Sequence, residues 1–86
     1  MEYQLIIHKR AQKLLLGLGR ADRNRITEKI MSLKRNPHDL SLDIKRLQGQ
    51  RGYRLRVGQW RVIFERDDEI RLITIEKIGA RGDIYS

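Results

Sequence analysis

Arginine is concentrated near the middle of this 86-residue chain, at positions 54, 56 and 61. From Lys45 to Arg61 there are six basic residues and no acidic one. An arginine side chain presents a planar set of N–H donors that matches pairs of phosphate oxygens. Several such groups on one surface would bind a phosphodiester and stabilise the negative charge that develops when it is cleaved. The alternative interpretation is an ordinary solvated basic surface.

The spacing of these arginines predicts that they share one face of a β-hairpin. Gly58-Gln59 is a glycine-first two-residue turn between segments that alternate apolar and polar residues. Across this turn Arg56 lies opposite Arg61, and Arg54 lies diagonal to that pair. The other face carries apolar or aromatic side chains that must pack on the rest of the protein, namely Tyr53, Leu55, Val57, Trp60, Val62 and Phe64. Because facing like charges disfavour a sheet, we expect an anionic ligand at the arginines.

Two helices are predicted before this hairpin. The apolar spacing of residues 11, 14, 15 and 18 predicts a helix that begins near Lys9, and Gly17 and Gly19 end it, with Gly19 in the left-handed conformation. A second helix is predicted over residues 21–35, where Asn36-Pro37 stops it. Since very few residues separate them, the helices should form an αα-hairpin.

Strands are predicted at both ends of the chain. Residues 2–7 and 43–47 predict one strand each, and a turn at Asp67-Asp68 predicts a last strand over residues 69–78. Pairing through that turn places Thr74 beside Arg61. The resulting fold class is α+β: an N-terminal strand, an αα-hairpin, then three to four antiparallel strands forming a twisted sheet packed on the helices. We expect residues 1–86 to form a single domain.

The composition narrows the class of partner. The net charge of +8 favours a polyanion. The chain has no cysteine, which excludes disulfides and thiolate metal sites, and a cytoplasmic location is expected. There is no apolar run of the ~20 residues that a membrane span needs, and the N-terminus does not resemble a signal peptide. His8 and His38 lack a suitably spaced third ligand, so no metal and no cofactor are expected.

Further basic residues are candidates for RNA contact. On the second predicted helix the basic side chains point away from the apolar stripe, which is equally typical of a solvated helix face. The candidates are Lys45, Arg46, Arg51, Arg23, Arg25 and Lys29. The acidic residues at positions 67–69 are interpreted as a solvated turn rather than a cation site.

Three segments resemble the RelE/ParE superfamily of toxins. The hairpin, YRLRVGQWRVIF, resembles that of the family, and KRLQG at residues 45–49 matches its usual K-x-L-x-G. GARGDIY at residues 79–85 resembles the closing segment of the family. The resemblance covers nearly the whole chain and implies the RelE-like fold.

The resemblance also implies a function. RelE-like members are toxins of type II toxin–antitoxin systems that cut mRNA, usually in the ribosomal A site, and a cognate antitoxin restrains them. Toxin and antitoxin together commonly bind their own operator DNA. ParE-like members share the fold but inhibit DNA gyrase, so a gyrase inhibitor remains an alternative, as does a basic RNA-binding module.

Carried over to this chain, the resemblance implies a set of catalytic residues: Arg54, Arg56, Arg61, Arg81 and Tyr85. RNA carries its own nucleophile, the 2′-hydroxyl, so such an enzyme needs no metal and no nucleophilic side chain. The arginines would position the RNA and stabilise charge, and the tyrosine would stack on a base or take part in proton transfer. An arginine stays protonated and is a poor general base.

Overall fold

The chain folds as one strand, two helices and four further strands. A computed structural model describes residues 2–80. In chain order the elements are β1 (Gln4–Ile7), α1 (Lys9–Gly17), α2 (Arg20–Arg35), β2 (Asp43–Arg46), β3 (Tyr53–Val57), β4 (Trp60–Asp67) and β5 (Leu72–Ala80). This order confirms the predicted α+β class. Neither of the two helices within residues 2–80 is long and apolar enough to cross a membrane.

All five strands join in one sheet with the order β1-β5-β4-β3-β2. The neighbours from β2 to β5 are antiparallel, as the short turns between them predict. β1 pairs parallel with β5, with Leu5 opposite Ile73 and Ile7 opposite Ile75. A parallel partner needs a long connection, and the helix pair followed by three strands supplies it.

The hydrophobic core lies between the helices and one face of the sheet. The largest fully buried side chains come from both layers: Phe64, Ile26, Ile30, Leu33, Leu55, Ile73, Ile75 and Val62. Ala11 and Leu15 of α1 join the same cluster, whereas Leu14, which was predicted to belong to its apolar stripe, is 37% exposed. Within residues 2–80 no helix or strand packs on the opposite face of the sheet, which we call the open face. The open face is where a ligand of the hairpin arginines would bind.

The connection between the two helices differs from the prediction. Gly19 has φ −59° and ψ 156° and serves as the N-cap of α2, so the expected left-handed terminator is wrong. Helix α1 instead ends in extended backbone at Leu18, whose N–H donates to the carbonyl of Leu15. A glycine is compatible with either backbone conformation, which is why its presence did not decide the geometry.

The turn between β4 and β5 was also mispredicted. Asp67 is still in the strand and pairs with Leu72, so the connection is residues 68–71, and Arg71 in it has φ 53°. The Oδ1 of Asp67 accepts hydrogen bonds from the N–H groups of residues 69 and 70, which stabilises this longer turn. The register therefore shifts. Thr74 lies opposite Glu65 rather than beside Arg61, and Arg61 lies opposite Gly79.

Candidate nucleic-acid interface

The β3–β4 hairpin has the predicted register. Arg56 is opposite Arg61, Leu55 opposite Val62, and Tyr53 opposite Phe64. Gly58 has φ 59°, as the first position of a glycine-first hairpin turn requires. Alternation along the two strands therefore places the apolar residues against the helices and the arginines on the open face.

Four basic residues come together on this part of the open face. Arg56 and Arg61 face each other across β3 and β4, and Lys45 of β2 lies opposite Arg54. We call these four residues the arginine face. Asp43 of β2 lies opposite Arg56, but no ion pair within 4.0 Å involves Arg56 or Arg61 among residues 2–80. Within residues 2–80 the charges of the Arg56–Arg61 pair are therefore not neutralised by a close carboxylate.

Burial distinguishes the two arginines of the pair. Arg56 is exposed, whereas Arg61 is only 5% exposed. The Nη1 of Arg61 donates to the carbonyl oxygens of Gly58 and Trp60, at 3.2 and 3.1 Å. These bonds orient the guanidinium at the hairpin tip. A charge fixed in advance at a partly desolvated position acts more strongly on a nearby phosphate than a mobile one does.

The remaining basic candidates lie in four places. Arg25 of α2 reaches the hairpin tip, where its Nη1 would be 3.8 Å from a Cβ built on Gly58. Arg46 and Arg51 line one groove at the other end of the hairpin, next to Tyr53. Lys29 of α2 lies near Asp39. The pKa of Asp39 is lowered mainly by hydrogen bonds from Ser41 and further by the charges of Lys29 and Arg35. Arg23 is half-buried on α2.

An acidic group on the open face was missed by the sequence reasoning. The Nε2 of His8 lies 3.0 Å from Oε2 of Glu76. Partial burial raises the pKa of Glu76, a hydrogen bond with Glu65 raises it further, and the charge of His8 opposes the shift. Glu76 has no opposite residue in β4, because Phe64 pairs with Ile75 and Ile63 with Lys77, which is a β-bulge. Such an extra residue gives no sequence signal of its own.

Comparison with known proteins decides the family. The model for the ParE toxin of the type II toxin–antitoxin system parDE matches residues 5–85. A protein of Methanocaldococcus jannaschii that carries the name RelE1 is 38% identical over 87 residues, covering 99% of this chain and 97% of the relative. The chain belongs to the RelE/ParE superfamily. It is the toxin of a type II toxin–antitoxin system.

Solved structures of the RelE/ParE superfamily confirm the fold. The crystal structure of the archaeal RelE–RelB complex from Pyrococcus horikoshii OT3 superposes with a TM-score of 0.81 at 32% identity, covering 96% of this chain and 99% of that one. The RelB–RelE antitoxin–toxin complex from Methanococcus jannaschii gives a TM-score of 0.73 at 29% identity, covering 93% and 94%. The N-terminal strand, helix pair and antiparallel strands are therefore the RelE-like fold.

Two of the candidate catalytic residues of this toxin, Arg81 and Tyr85, lie outside the described residues. They follow Ala80, the last residue of β5, which pairs with Trp60 next to the hairpin tip. Among residues 2–80, no group of three or more His, Cys, Asp or Glu side chains could hold a metal ion.

Proposed function

We propose that this toxin is an endoribonuclease that cleaves mRNA on the ribosome, in the A site, and so stops translation in the cytoplasm. The observation that carries the proposal is the pairing of Arg56 with Arg61 on the open face, beside Arg54 and Lys45. Facing cations cost folding free energy, and a phosphodiester backbone on the open face would offset that cost. The net charge of +8 would strengthen attraction to RNA at low salt.

The proposed reaction uses the 2′-hydroxyl of the RNA as nucleophile and needs no metal. The 2′-oxygen attacks the adjacent phosphorus, and the bond from phosphorus to the 5′-oxygen of the next nucleotide breaks. The products are a 2′,3′-cyclic phosphate and a 5′-hydroxyl, so one proton leaves the 2′-oxygen and one reaches the 5′-oxygen. The enzyme has to align these atoms and stabilise the extra negative charge on the phosphate.

The buried Arg61 and the exposed Arg56 have different roles in this reaction. Arg61 is fixed to the turn carbonyls and stabilises charge at the scissile phosphate, while the exposed Arg56 contacts that phosphate directly. Arg54 and Lys45 position the flanking backbone. We assign Arg81 to the charge-stabilising group, and Tyr85 to base stacking or proton transfer. Further basic side chains contact RNA of the message or the ribosome, namely Arg46, Arg51, Arg23, Arg25 and Lys29.

We also propose a cognate antitoxin as the protein partner. The two structural neighbours described above were solved as complexes of RelE with RelB. An antitoxin of this chain is expected to be acidic where it meets the arginine face, because that would neutralise the facing guanidiniums. Operator DNA is expected to bind only to the toxin–antitoxin pair.

The alternative function, inhibition of DNA gyrase, is favoured by the ParE description of the matching family model. Induced expression in bacteria distinguishes the two. Primer extension on a translated message is expected to show discrete, codon-phased cuts with the wild-type toxin and fewer with Arg61→Ala. Intact mRNA together with an SOS response would overturn the cleavage proposal in favour of gyrase.

A further inference from the structure

A group of proton-binding side chains lies on the open face beside the basic residues. It consists of Glu65 of β4, Glu76 of β5 and His8, which follows β1. The Nε2 of His8 lies 3.0 Å from Oε2 of Glu76, and the carboxyl groups of Glu76 and Glu65 share a hydrogen bond. Two carboxyl groups share a hydrogen bond only when one of them carries a proton. We call these three residues the acid–histidine cluster.

The surroundings of Glu76 bring titratable groups toward it from both neighbouring strands. Glu65 faces it from β4, and His8 faces it from the end of β1. On β5 itself the next residue is the exposed Lys77. Helix α1 also contacts β5, but it packs on the opposite face through the core. The side chains of His8 and Glu76 are 55% and 30% exposed, so both exchange protons with solvent.

The charge of the acid–histidine cluster becomes more positive as the pH falls. Partial burial raises the pKa of Glu76, a hydrogen bond with Glu65 raises it further, and the charge of His8 opposes the shift. A histidine side chain gains its positive charge between about pH 8 and pH 5. Acid therefore removes carboxylate charge and adds imidazolium charge at the same place.

The acid–histidine cluster lies one step along the sheet from the arginine face. Ile63 of β4 pairs with Arg54 on one side and with Lys77 on the other. Glu65 is two residues further along β4 and on the same face, which is a step of ~6.8 Å. This step is similar to the spacing of successive phosphates in an extended RNA strand. A phosphate next to one held by Arg54 would therefore come close to the carboxyl groups.

The open face remains mostly acidic beyond the acid–histidine cluster. Glu65 and Thr74 line a groove of about 520 Å³ that continues to the end of β4, where the acidic residues 67–69 form part of its wall. Arg51 and Arg66 also line the groove and offset part of this negative charge. An RNA strand is thus attracted at the arginine face and repelled one step further along the sheet.

We propose that the acid–histidine cluster is a proton-controlled boundary of the RNA-binding surface. Above neutral pH its carboxylates exclude the next phosphate of the strand, and in acid the protonated cluster admits it. The proposal rests on the proposed RNA cleavage, since it concerns the path of RNA on that same face. RNA binding should therefore strengthen as the pH falls, and by linkage the binding of RNA should take up protons.

The test measures the affinity of the full-length toxin for a short, dye-labelled 2′-O-methyl oligouridylate. This RNA has no free 2′-hydroxyl, so the proposed reaction cannot cleave it. Fluorescence anisotropy is followed at low, constant salt, at about pH 8 and about pH 5. A gain of two unit charges at ~10 Å from a phosphate corresponds to about three- to tenfold tighter binding. Wild type is expected to show a gain of this size on acidification.

Two variants assign this gain to the acid–histidine cluster, and a third is the control. The double variant Glu65→Gln/Glu76→Gln should bind severalfold more tightly than wild type at about pH 8 and gain less on acidification, because the repelling charge is already absent. His8→Gln should also gain less, because no imidazolium forms there. His38→Gln removes an exposed histidine from the connection between α2 and β2 and should keep the wild-type gain within about twofold.

The outcomes separate this proposal from the proposed function. A gain on acidification that is equal in wild type, the double variant and His8→Gln overturns the boundary, and so does equal affinity of wild type and the double variant at about pH 8. Arg56→Gln should weaken binding at both pH values. If it does so while the cluster variants bind as wild type, the boundary is refuted and RNA still binds the open face. If Arg56→Gln also binds as wild type, both proposals are overturned.

Discussion

Replacing Arg56 by glutamine should separate activity from stability more cleanly than any other change in the arginine face. Arg56 is exposed, and among residues 2–80 it makes no ion pair within 4.0 Å. Its cross-strand neighbours have opposite charges, Asp43 on β2 and Arg61 on β4. Because Arg56 is exposed and these two interactions have opposite signs, they largely cancel. The free energy of unfolding should therefore change by less than ~0.5 kcal/mol.

The effect of Arg56→Gln on cleavage should be far larger. Loss of one donor aimed at a developing anion typically reduces the rate ~10²–10³-fold. Urea denaturation gives the free energy of unfolding, and the rate of cutting a translated message gives the activity. Lys13→Gln removes one positive charge from α1 and is the matched control, because it lowers the net charge equally without touching the sheet.

Two results would refute the reasoning about Arg56. A cleavage rate within twofold of that of Lys13→Gln would show that Arg56 contributes only general positive charge. A loss of several kcal/mol of stability would show that Arg56 is part of the folded framework, in which case its loss of activity would say nothing about phosphate binding.

Three further predictions concern the framework of the site. Phe64→Ala removes a fully buried ring whose centroid lies 5.4 Å from that of the stacked Tyr53 ring. Urea titration should show that the free energy of unfolding falls by ~3–5 kcal/mol. A loss below ~1 kcal/mol would contradict this packing. Gly52→Ala should destabilise more than Gly49→Ala, because both glycines have positive φ but only at Gly52 would a Cβ lie 2.9 Å from the carbonyl oxygen of Phe64. The pKa of Glu76 is raised above 4.5 in the folded protein, so the folded state binds more protons than the unfolded state in the interval above that value. The stability of wild type relative to Glu76→Gln should therefore fall as pH rises through that interval, and a difference that stays constant with pH in denaturation curves would rule this out.

Local patterns were sufficient to predict the hairpin. A glycine-first turn flanked by alternating residues determines both the pairing and the two faces, so Arg56 opposite Arg61 followed directly from the sequence. The bounds of α2 also followed closely, because Asn36-Pro37 ends a helix for steric reasons. In the hairpin and at the end of α2, the conformations that the residues prefer locally are the ones found in the fold.

The β4–β5 pairing could not be predicted in the same way. Asp67 and Asp68 are typical turn residues, yet the sheet extends to Asp67, and an Asx turn with left-handed Arg71 closes the connection. A bulge at Glu76 then shifts the register again. Both features depend on how β5 packs in the sheet, and this explains why Thr74 was misplaced and why the Glu76–His8 contact was missed.

Nor could the burial of Arg61 be inferred from its strand position. Alternation gives the face of a side chain but not its rotamer, and the guanidinium of Arg61 bends back to the carbonyl oxygens of its own turn. The same limit applies to the recess between α2 and the hairpin tip, because its walls come from two elements whose relative placement depends on the whole core. Its lining residues are Asp22, Arg25, Gln59, Trp60 and Ala80.

Cleavage of a programmed ribosome by the purified toxin tests the central claim most directly. The mRNA is placed with a defined codon in the A site, and the same RNA without ribosomes is treated in parallel. The account predicts a cut within that codon that leaves a 2′,3′-cyclic phosphate and a 5′-hydroxyl, and a rate about 10²-fold lower with Arg56→Gln. An intact message on the ribosome, or a cut that proceeds equally fast with Arg56→Gln, would contradict it.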